Sequence, residues 1–208
     1  MCIRDSYTIM DIDAFLYGNS SVEPNPLRGQ LLVAEPMLSG DVFERAVVVM
    51  LDVDRQLGHL GLVLNKPLNT TLRELAPSWS PDVHLPVFCG GPVDLQRLFV
   101  LHTLGDVIKG ASKVTDGLYV GGDLHSIMDY VEYDGDVEGK MRFFLGYSGW
   151  SKDQLQSEII RHSWAVDSAP DYSTLLTGYG EGYWRREVAR LGENYRSWLS
   201  VPSDPALN

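Results

Sequence analysis

The chain has 208 residues, of which 44% are hydrophobic and 22% are charged, a composition typical of a globular protein. Its 28 acidic residues outnumber 17 basic ones, and the formal net charge is −11. Binding to a duplex requires clustered lysines and arginines, so this charge argues against direct contact with nucleic acid. No apolar run reaches the ~18–20 residues of a membrane span, and we expect no membrane insertion.

The ends of the chain differ from its middle. Residues 1–27 contain four acids and one base and close on the turn-rich Glu23-Pro-Asn-Pro26, which predicts a disordered segment. We expect one domain over 28–200 and a flexible tail over 201–208. The start lacks the basic and apolar regions of a secretory signal, and two cysteines cannot build a disulfide framework. These features indicate a cytoplasmic protein, with Cys89 as a buried thiol in an apolar run.

The first half of the chain predicts strands over 30–35, 46–51 and 60–65. The run 46–51 is continuously apolar and rich in valine, which is typical of a central strand buried on both faces. The link to the third strand is too short for a crossover, so these two strands should form an antiparallel hairpin. A short helix follows over 71–76, with Thr70 or Thr71 as its N-cap.

Further along, short apolar runs predict strands over 87–89, 97–102, 118–120 and 141–145, the first two flanking the turn 90–93. Asp123 can cap a helix that runs to about Val131. Ser151 and Gln154 form the pattern of a capping box, which predicts a helix from there to about His162. Near the end, five apolar residues recur at spacings of three and four and predict an amphipathic stripe that packs on the sheet: Trp184, Val188, Leu191, Tyr195 and Trp198.

The order of these elements has no alternating strand and helix rhythm. It predicts an α+β fold, in which a single domain has a mixed, largely antiparallel β-sheet core flanked by helices.

The run Gly146-Tyr-Ser-Gly-Trp150 invites comparison with a hydrolase nucleophile elbow, which needs Gly-x-Ser-x-Gly between a strand and a helix. Its last position is Trp150 instead of glycine, and the predicted helix cap lies three residues beyond Ser148. We therefore interpret the run as a close-packed strand-to-helix turn and assign no catalytic residue. His102 ends an apolar strand, and a hydrogen-bonded imidazole is favoured there over a catalytic one.

Other polar features also have structural interpretations. Gly90-Gly-Pro92 could cradle an anion, but a tight turn between closely approaching backbones is favoured. The five histidines have no metal-ligand spacing, and the acidic stretch 129–138 lacks the ligand pattern of a calcium loop. We expect that stretch to be a solvated loop, and we predict no metal and no cofactor.

Six segments, in this order, resemble the YqgE/AlgH family over about residues 28–200. They are Gly29-Gln-Leu-Leu-Val-Ala-Glu-Pro36, Phe43-Glu-Arg-Ala-Val-Val-Val49, Gly61-Leu-Val-Leu-Asn-Lys-Pro67, Gly90-Gly-Pro-Val93, Leu101-His102 and Phe144-Leu-Gly-Tyr-Ser-Gly-Trp150, the last followed by Gln154, Glu158 and Trp164. The resemblance implies a bacterial, cytoplasmic α+β domain without an established enzymatic activity. One branch of the family is labelled a regulator of alginate synthesis, sometimes a transcriptional one.

Three hypotheses about function remain open. The first is a non-enzymatic regulatory or interaction protein that binds an unknown protein or small molecule. The second is an uncharacterised, hydrolase-like enzyme that uses Ser148, His102 and Lys66. The third is a transcriptional regulator, which the acidic charge disfavours. The candidate ligand or interaction surface consists of Asn65, Lys66, Gly90, Gly91, His102, Gly146, Ser148 and Trp150.

Overall fold

The computed structural model describes residues 26–40, 42–54, 58–76, 84–134, 136–151 and 153–202. The expected N-terminal segment 1–27 and tail 201–208 fall almost wholly outside these ranges.

A ten-stranded sheet dominates the described part of the chain. Along its main path the strand order is β10-β1-β2-β3-β9-β6-β8-β7, with β4 joined to β5 and β5 to β9. The strands are Leu31–Ala34 (β1), Val47–Asp54 (β2), Gly58–Val63 (β3), Pro67–Thr71 (β4), Pro86–Cys89 (β5), Val93–His102 (β6), Ser112–Thr115 (β7), Leu118–Val120 (β8), Met141–Trp150 (β9) and Trp164–Asp167 (β10).

Helical segments connect and cover these strands. They are the α-helices Leu72–Leu75 (α1), Leu124–Asp129 (α2), Gln154–Ile160 (α3) and Gly180–Arg190 (α4), the π-helical turn Tyr130–Asp134 and the 3₁₀ helix Glu193–Ser200. The α+β class is confirmed, with the sheet as the larger component. None of the helices in the described ranges is long and apolar enough to cross a membrane.

Strand β9 is the centre of the sheet. It pairs antiparallel with β6 along one edge. Its other edge pairs parallel with β5 near its start and antiparallel with β3 near its end. The β5–β9 pair makes the sheet mixed, and the remaining pairs are antiparallel.

The hairpin of β2 and β3 and the two-sided burial of β2 are confirmed. Alternate residues of β2 belong to different cores: Val47 and Val49 face the cluster that contains Trp184, whereas Val48 faces the cluster that contains Trp164. A third cluster lies under α2 and the π-helical turn. The sheet is therefore covered on both faces where β2 lies.

The C-terminal stripe packs on the sheet as predicted, but in two pieces. Trp184, Val188 and Trp198 are buried in one core cluster. Gly192, with φ of 91°, separates α4 from the 3₁₀ helix. A left-handed residue at this point stops the α-helix. Glycine adopts this conformation without strain because it has no Cβ.

The short helices show which capping patterns form. Thr71 is the N-cap of α1, as one of the two predicted candidates, and it forms a capping box in which the Glu74 carboxylate accepts the Thr71 amide hydrogen. Asp123 caps α2 through the Ser126 amide. The prediction of a loop over the acidic stretch 129–138 is wrong for its first part, where Tyr130–Asp134 continues α2 as a π-helical turn and Val131 is buried.

The prediction of a turn at Gly146–Trp150 is wrong. This run completes β9, and the corner follows it. Helix α3 begins at Gln154, whose side-chain oxygen accepts the Ser151 amide hydrogen at 3.2 Å, the glutamine half of the predicted capping box. The helix ends at Ile160, two residues earlier than expected.

Candidate functional site

The glycines of the two motif runs meet inside the sheet. Gly90 and Gly91 lie against the backbone of β9, and a Cβ at either position would overlap main-chain atoms between Gly146 and Ser148. Gly90 donates its amide hydrogen to the Leu145 carbonyl at 2.8 Å. Gly146 has φ of 70°, a left-handed conformation that glycine adopts without strain. The expected close approach of two backbones is present, but it forms packed interior.

Ser148 is fully buried, and its hydroxyl donates a hydrogen bond to the Gly90 carbonyl at 3.1 Å. A nucleophilic serine instead needs a general base within hydrogen-bonding distance and access to a substrate. The Gly90 carbonyl accepts the hydrogen bond of the hydroxyl but is too weak a base to remove its proton. This arrangement is a cross-strand clamp between β9 and the turn after β5.

His102 is also fully buried and uses both of its ring nitrogens. Nδ1 accepts the Leu104 amide hydrogen at 3.2 Å, and Nε2 lies 3.0 Å from the Gly121 carbonyl. This pattern requires the neutral tautomer with hydrogen on Nε2. Burial lowers the pKa of His102, although the bond to Gly121 opposes that shift. The imidazole therefore joins two turns as a neutral group.

Asn65 connects three segments from a fully buried position. Its Oδ1 accepts the Val47 amide hydrogen at 3.0 Å, and its Nδ2 donates to the carbonyls of Arg45 at 2.9 Å and Gly180 at 3.0 Å. Its own carbonyl accepts the Gly180 amide hydrogen at 2.7 Å. Asn65 thus ties the start of β2 to the first residue of α4.

Lys66 and Cys89 lie on adjacent segments, with the Cys89 amide donating to the Lys66 carbonyl at 2.8 Å. Both residues are partly exposed, so the prediction of a buried Cys89 is wrong. Burial of the Lys66 side chain lowers the pKa of its ammonium group, and nearby Glu44 opposes the shift. Lys66 is the one lysine or arginine among the eight candidate residues, and it is partly exposed.

Trp150 belongs to an aromatic cluster held by one carboxylate. Its indole nitrogen donates to Glu158 Oε2 at 2.9 Å, and the Trp164 indole donates to the same oxygen at 2.8 Å. Phe43 packs edge-on against Trp164. Glu158 therefore couples the end of β9 to β10 through α3.

A recess that the sequence analysis did not identify lies elsewhere, between the segments 137–143 and 176–179. Its volume is about 340 Å³, within the range of ~300–1,000 Å³ typical of small-molecule sites. Its walls are largely apolar, and Glu138 and Tyr179 stand at its exposed rim. The lining consists of Leu85, Pro86, Phe88, Val137, Glu138, Gly139, Met141, Arg142, Phe143, Leu176, Gly178 and Tyr179.

Arg142 is the buried charge of this recess, with 6% of its surface exposed. Nη1 donates to the Leu64 carbonyl at 2.7 Å, and Nη2 donates to the carbonyls of Leu176 at 2.7 Å and Gly178 at 3.0 Å. The guanidinium lies over the Phe88 ring, 4.2 Å from its centroid. Burial lowers the pKa of Arg142 to about 10, so the group remains charged at neutral pH. Its signal in the sequence was an arginine inside the apolar run 141–145.

Other recesses are more open to solvent. One of about 370 Å³ lies beside Arg97 between β6 and α2, and another of similar volume lies beside His59 at the end of β9. Neither contains a charged side chain as deeply buried as Arg142. No cluster of three metal-ligating side chains occurs in the ranges that the structure describes.

Comparison with known proteins places these observations in a family. The AlgH-like family model matches residues 31–196. A UPF0301 protein of Parabacteroides distasonis is 40% identical over 184 residues, which are 88% of this chain and 92% of the relative. The UPF0301 protein CT0663 of Chlorobaculum tepidum is 36% identical over 180 residues, 86% and 95% of the two chains.

Two solved structures share the fold. The AlgH protein of Pseudomonas aeruginosa superposes with a TM-score of 0.66 at 27% identity, covering 88% of this chain and 97% of its own. The protein DIP2367 of Corynebacterium diphtheriae superposes with a TM-score of 0.71 at 21% identity, covering 89% and 97%. With the family model spanning most of the chain, the resemblance seen in the motif runs is confirmed: the chain belongs to the AlgH-like family.

Proposed function

We propose that this protein is a non-enzymatic, cytoplasmic regulatory protein that binds a small ligand in the recess beside Arg142. The observation that carries the proposal is the contrast between the motif residues and the recess. Asn65, His102 and Ser148 bond to main-chain groups in the interior, whereas the recess combines apolar walls with one buried cation. Few polar groups in an apolar concavity are the usual composition of a ligand site.

The alternative of a hydrolase-like enzyme has weaker support. Acyl transfer needs a nucleophile, a base and a reacting atom within about 3 Å of each other. Ser148 donates to Gly90, and His102 bonds to Gly121 and Leu104, so the hydroxyl and the imidazole have separate partners. Lys66 lies beside Cys89 and not at the recess. The transcriptional hypothesis would require a partner that supplies the positive surface, given the net charge of −11.

The test is a fragment screen by NMR on the uniformly ¹⁵N-labelled full chain. Binding in the recess should shift the amide signals of Gly139, Leu176 and Gly178, which line it. Leu85→Trp places a bulky side chain in the lining and should abolish these shifts. Leu95→Trp, at an exposed position of β6 outside the recess, is the matched control and should leave them unchanged.

The screen can also refute the proposal. A library that produces no saturable shifts at these three amides, with the wild-type chain folded, would remove the recess as a binding site. Hits that persist unchanged in Leu85→Trp would place binding elsewhere.

A further inference from the structure

We infer that the recess recognises the carboxylate of a small apolar acid through Arg142. This inference rests on the proposed function and adds the chemical class of the ligand. Its basis is a buried cation that lines a concave apolar surface and has no acidic partner in the described part of the chain.

The charge of Arg142 is compensated in an unusual way. Its three hydrogen bonds all go to main-chain carbonyls, and no side chain among the described residues forms an ion pair with it. A buried cation is generally paired with an anion, because carbonyl dipoles replace only part of its lost hydration. The chain has 28 acidic residues available for such pairing. The lack of an acidic partner for Arg142 is therefore not due to a shortage of acidic residues in the chain.

The guanidinium also has donor capacity left. An arginine side chain carries five N–H groups, and the three bonds of Arg142 occupy three of them. The Nε hydrogen and one Nη1 hydrogen have no acceptor among the described residues. Each of them can donate one hydrogen bond to a carboxylate oxygen, and hydrogen bonds between charged groups are stronger than those between neutral ones.

The titratable side chains described near Arg142 do not supply an anion paired with it. Arg186 lies close enough to disfavour the charged form of Arg142, and Tyr183 acts in the opposite direction. Arg186 is itself paired with the buried Glu187. The acid in the lining of the recess is Glu138, which is exposed at the rim and outside ion-pair distance of Arg142. An entering carboxylate thus meets a cation inside and one repelling charge at the entrance.

The walls select the rest of the ligand. Phe88, Phe143, Met141 and Leu176 are buried side chains that present apolar surface to the recess. The Phe88 ring also packs against the guanidinium, whose Cζ lies 4.2 Å from the ring centroid. A volume of about 340 Å³ suits one aromatic or short aliphatic group beside the carboxylate. A bare inorganic anion would leave these walls unfilled.

The experiment compares phenylacetate with phenylacetamide, which has nearly the same shape without the charge. Each is titrated into the ¹⁵N-labelled full chain, and the amides of Gly139, Leu176 and Gly178 report binding. Phenylacetate should bind at least about tenfold more tightly, the size of a hydrogen bond to a charged group. Inorganic phosphate, titrated in parallel, should produce no saturable shift at these amides.

Two variants test whether the preference for phenylacetate over phenylacetamide arises at the recess. Arg142→Lys keeps a positive charge but loses the planar guanidinium and its Nε donor, and the preference for phenylacetate should fall about tenfold. Because Arg142 also bonds to three carbonyls, this variant could unfold. Glu138→Gln removes the exposed rim charge without touching the core. The affinity for phenylacetate should rise about threefold, in line with a surface charge interaction, and the affinity for phenylacetamide should stay unchanged.

The outcomes separate the inference from the proposed function. Equal affinities of the two probes, or no effect of Glu138→Gln on phenylacetate, overturn the carboxylate inference while the recess remains a ligand site. Phosphate binding as tight as that of phenylacetate overturns the inference that the ligand is an apolar acid. If neither these probes nor any fragment shifts the three amides, both the inference and the proposed function fail.

Discussion

Replacement of Asn65 by alanine tests whether this motif residue is structural or a ligand group. The side chain is fully buried and makes three hydrogen bonds, to Val47, Arg45 and Gly180. Alanine removes all three and leaves an amide hydrogen and two carbonyls without their partner. We expect a large loss of stability and no direct effect on ligand contacts in the recess.

The magnitude follows from those bonds. A net contribution of about 1 kcal/mol for each bond gives about 3 kcal/mol, and the stranded Val47 amide adds at least about 1 kcal/mol. The expected loss in the free energy of unfolding is therefore about 4 kcal/mol. This is a large part of the ~5–15 kcal/mol that stabilises a typical domain.

The assay is urea unfolding followed by tryptophan fluorescence, with linear extrapolation to water. Asn69→Ala is the matched control, because Asn69 is the same residue type, lies four positions further along the chain in β4, and is exposed. It should change stability by less than ~0.5 kcal/mol. A folded Asn65→Ala variant that loses no more stability than this control would refute the structural role.

Three further predictions use the same unfolding assay. Glu158→Ala removes the shared acceptor of Trp150 and Trp164 and should cost about 2 kcal/mol, with a change in native fluorescence. Gly90→Ala should cost at least ~2 kcal/mol because its Cβ meets the Gly146 backbone, whereas Gly182→Ala, in open space on α4, should gain ~0.5 kcal/mol. The lowered pKa of His102 stabilises the fold above the unfolded value of ~6.5, so stability should fall as pH decreases below it. In His102→Gln that fall should be smaller, by at most ~1.4 kcal/mol per pH unit.

Each of these has a contrary result. Unchanged stability in Glu158→Ala would mean that the indoles find other acceptors. Equal effects of the two glycine substitutions would show that the contact between Gly90 and β9 relaxes freely. Parallel pH profiles for wild type and His102→Gln would assign the pH dependence to other groups.

Local patterns in the sequence were sufficient for much of the fold. The apolar run of β2, its hairpin with β3, the Thr71 cap and the C-terminal stripe are all defined by residues close together in the chain. Strand β10 and the parallel pairing of β5 with β9 were missed because their partners are distant. Nothing within Trp164–Asp167 itself indicates that β1 will pair with it.

The glycines of Gly146–Trp150 show how a local signal can mislead. Glycine weakens a strand and commonly marks a turn, so the run predicted a corner. In the folded protein the run continues β9, and a Cβ at Gly146 would overlap the main chain of Gly91 and Val93. The residue type was informative about close approach, and the tertiary partner decided the conformation.

The candidate site divides in the same manner. The sequence by itself determined the family, the α+β class and a set of polar residues at strand ends, because these depend on residue identity and short spacing. Whether those side chains face a recess or the interior was decided by tertiary structure, which buries Asn65, His102 and Ser148. The lining of the recess beside Arg142 comes from three segments that are distant in the chain, 85–88, 137–143 and 176–179. No local spacing in the sequence could therefore reveal it. Only the packing of β9 against these distant segments leaves a buried cation without an anion.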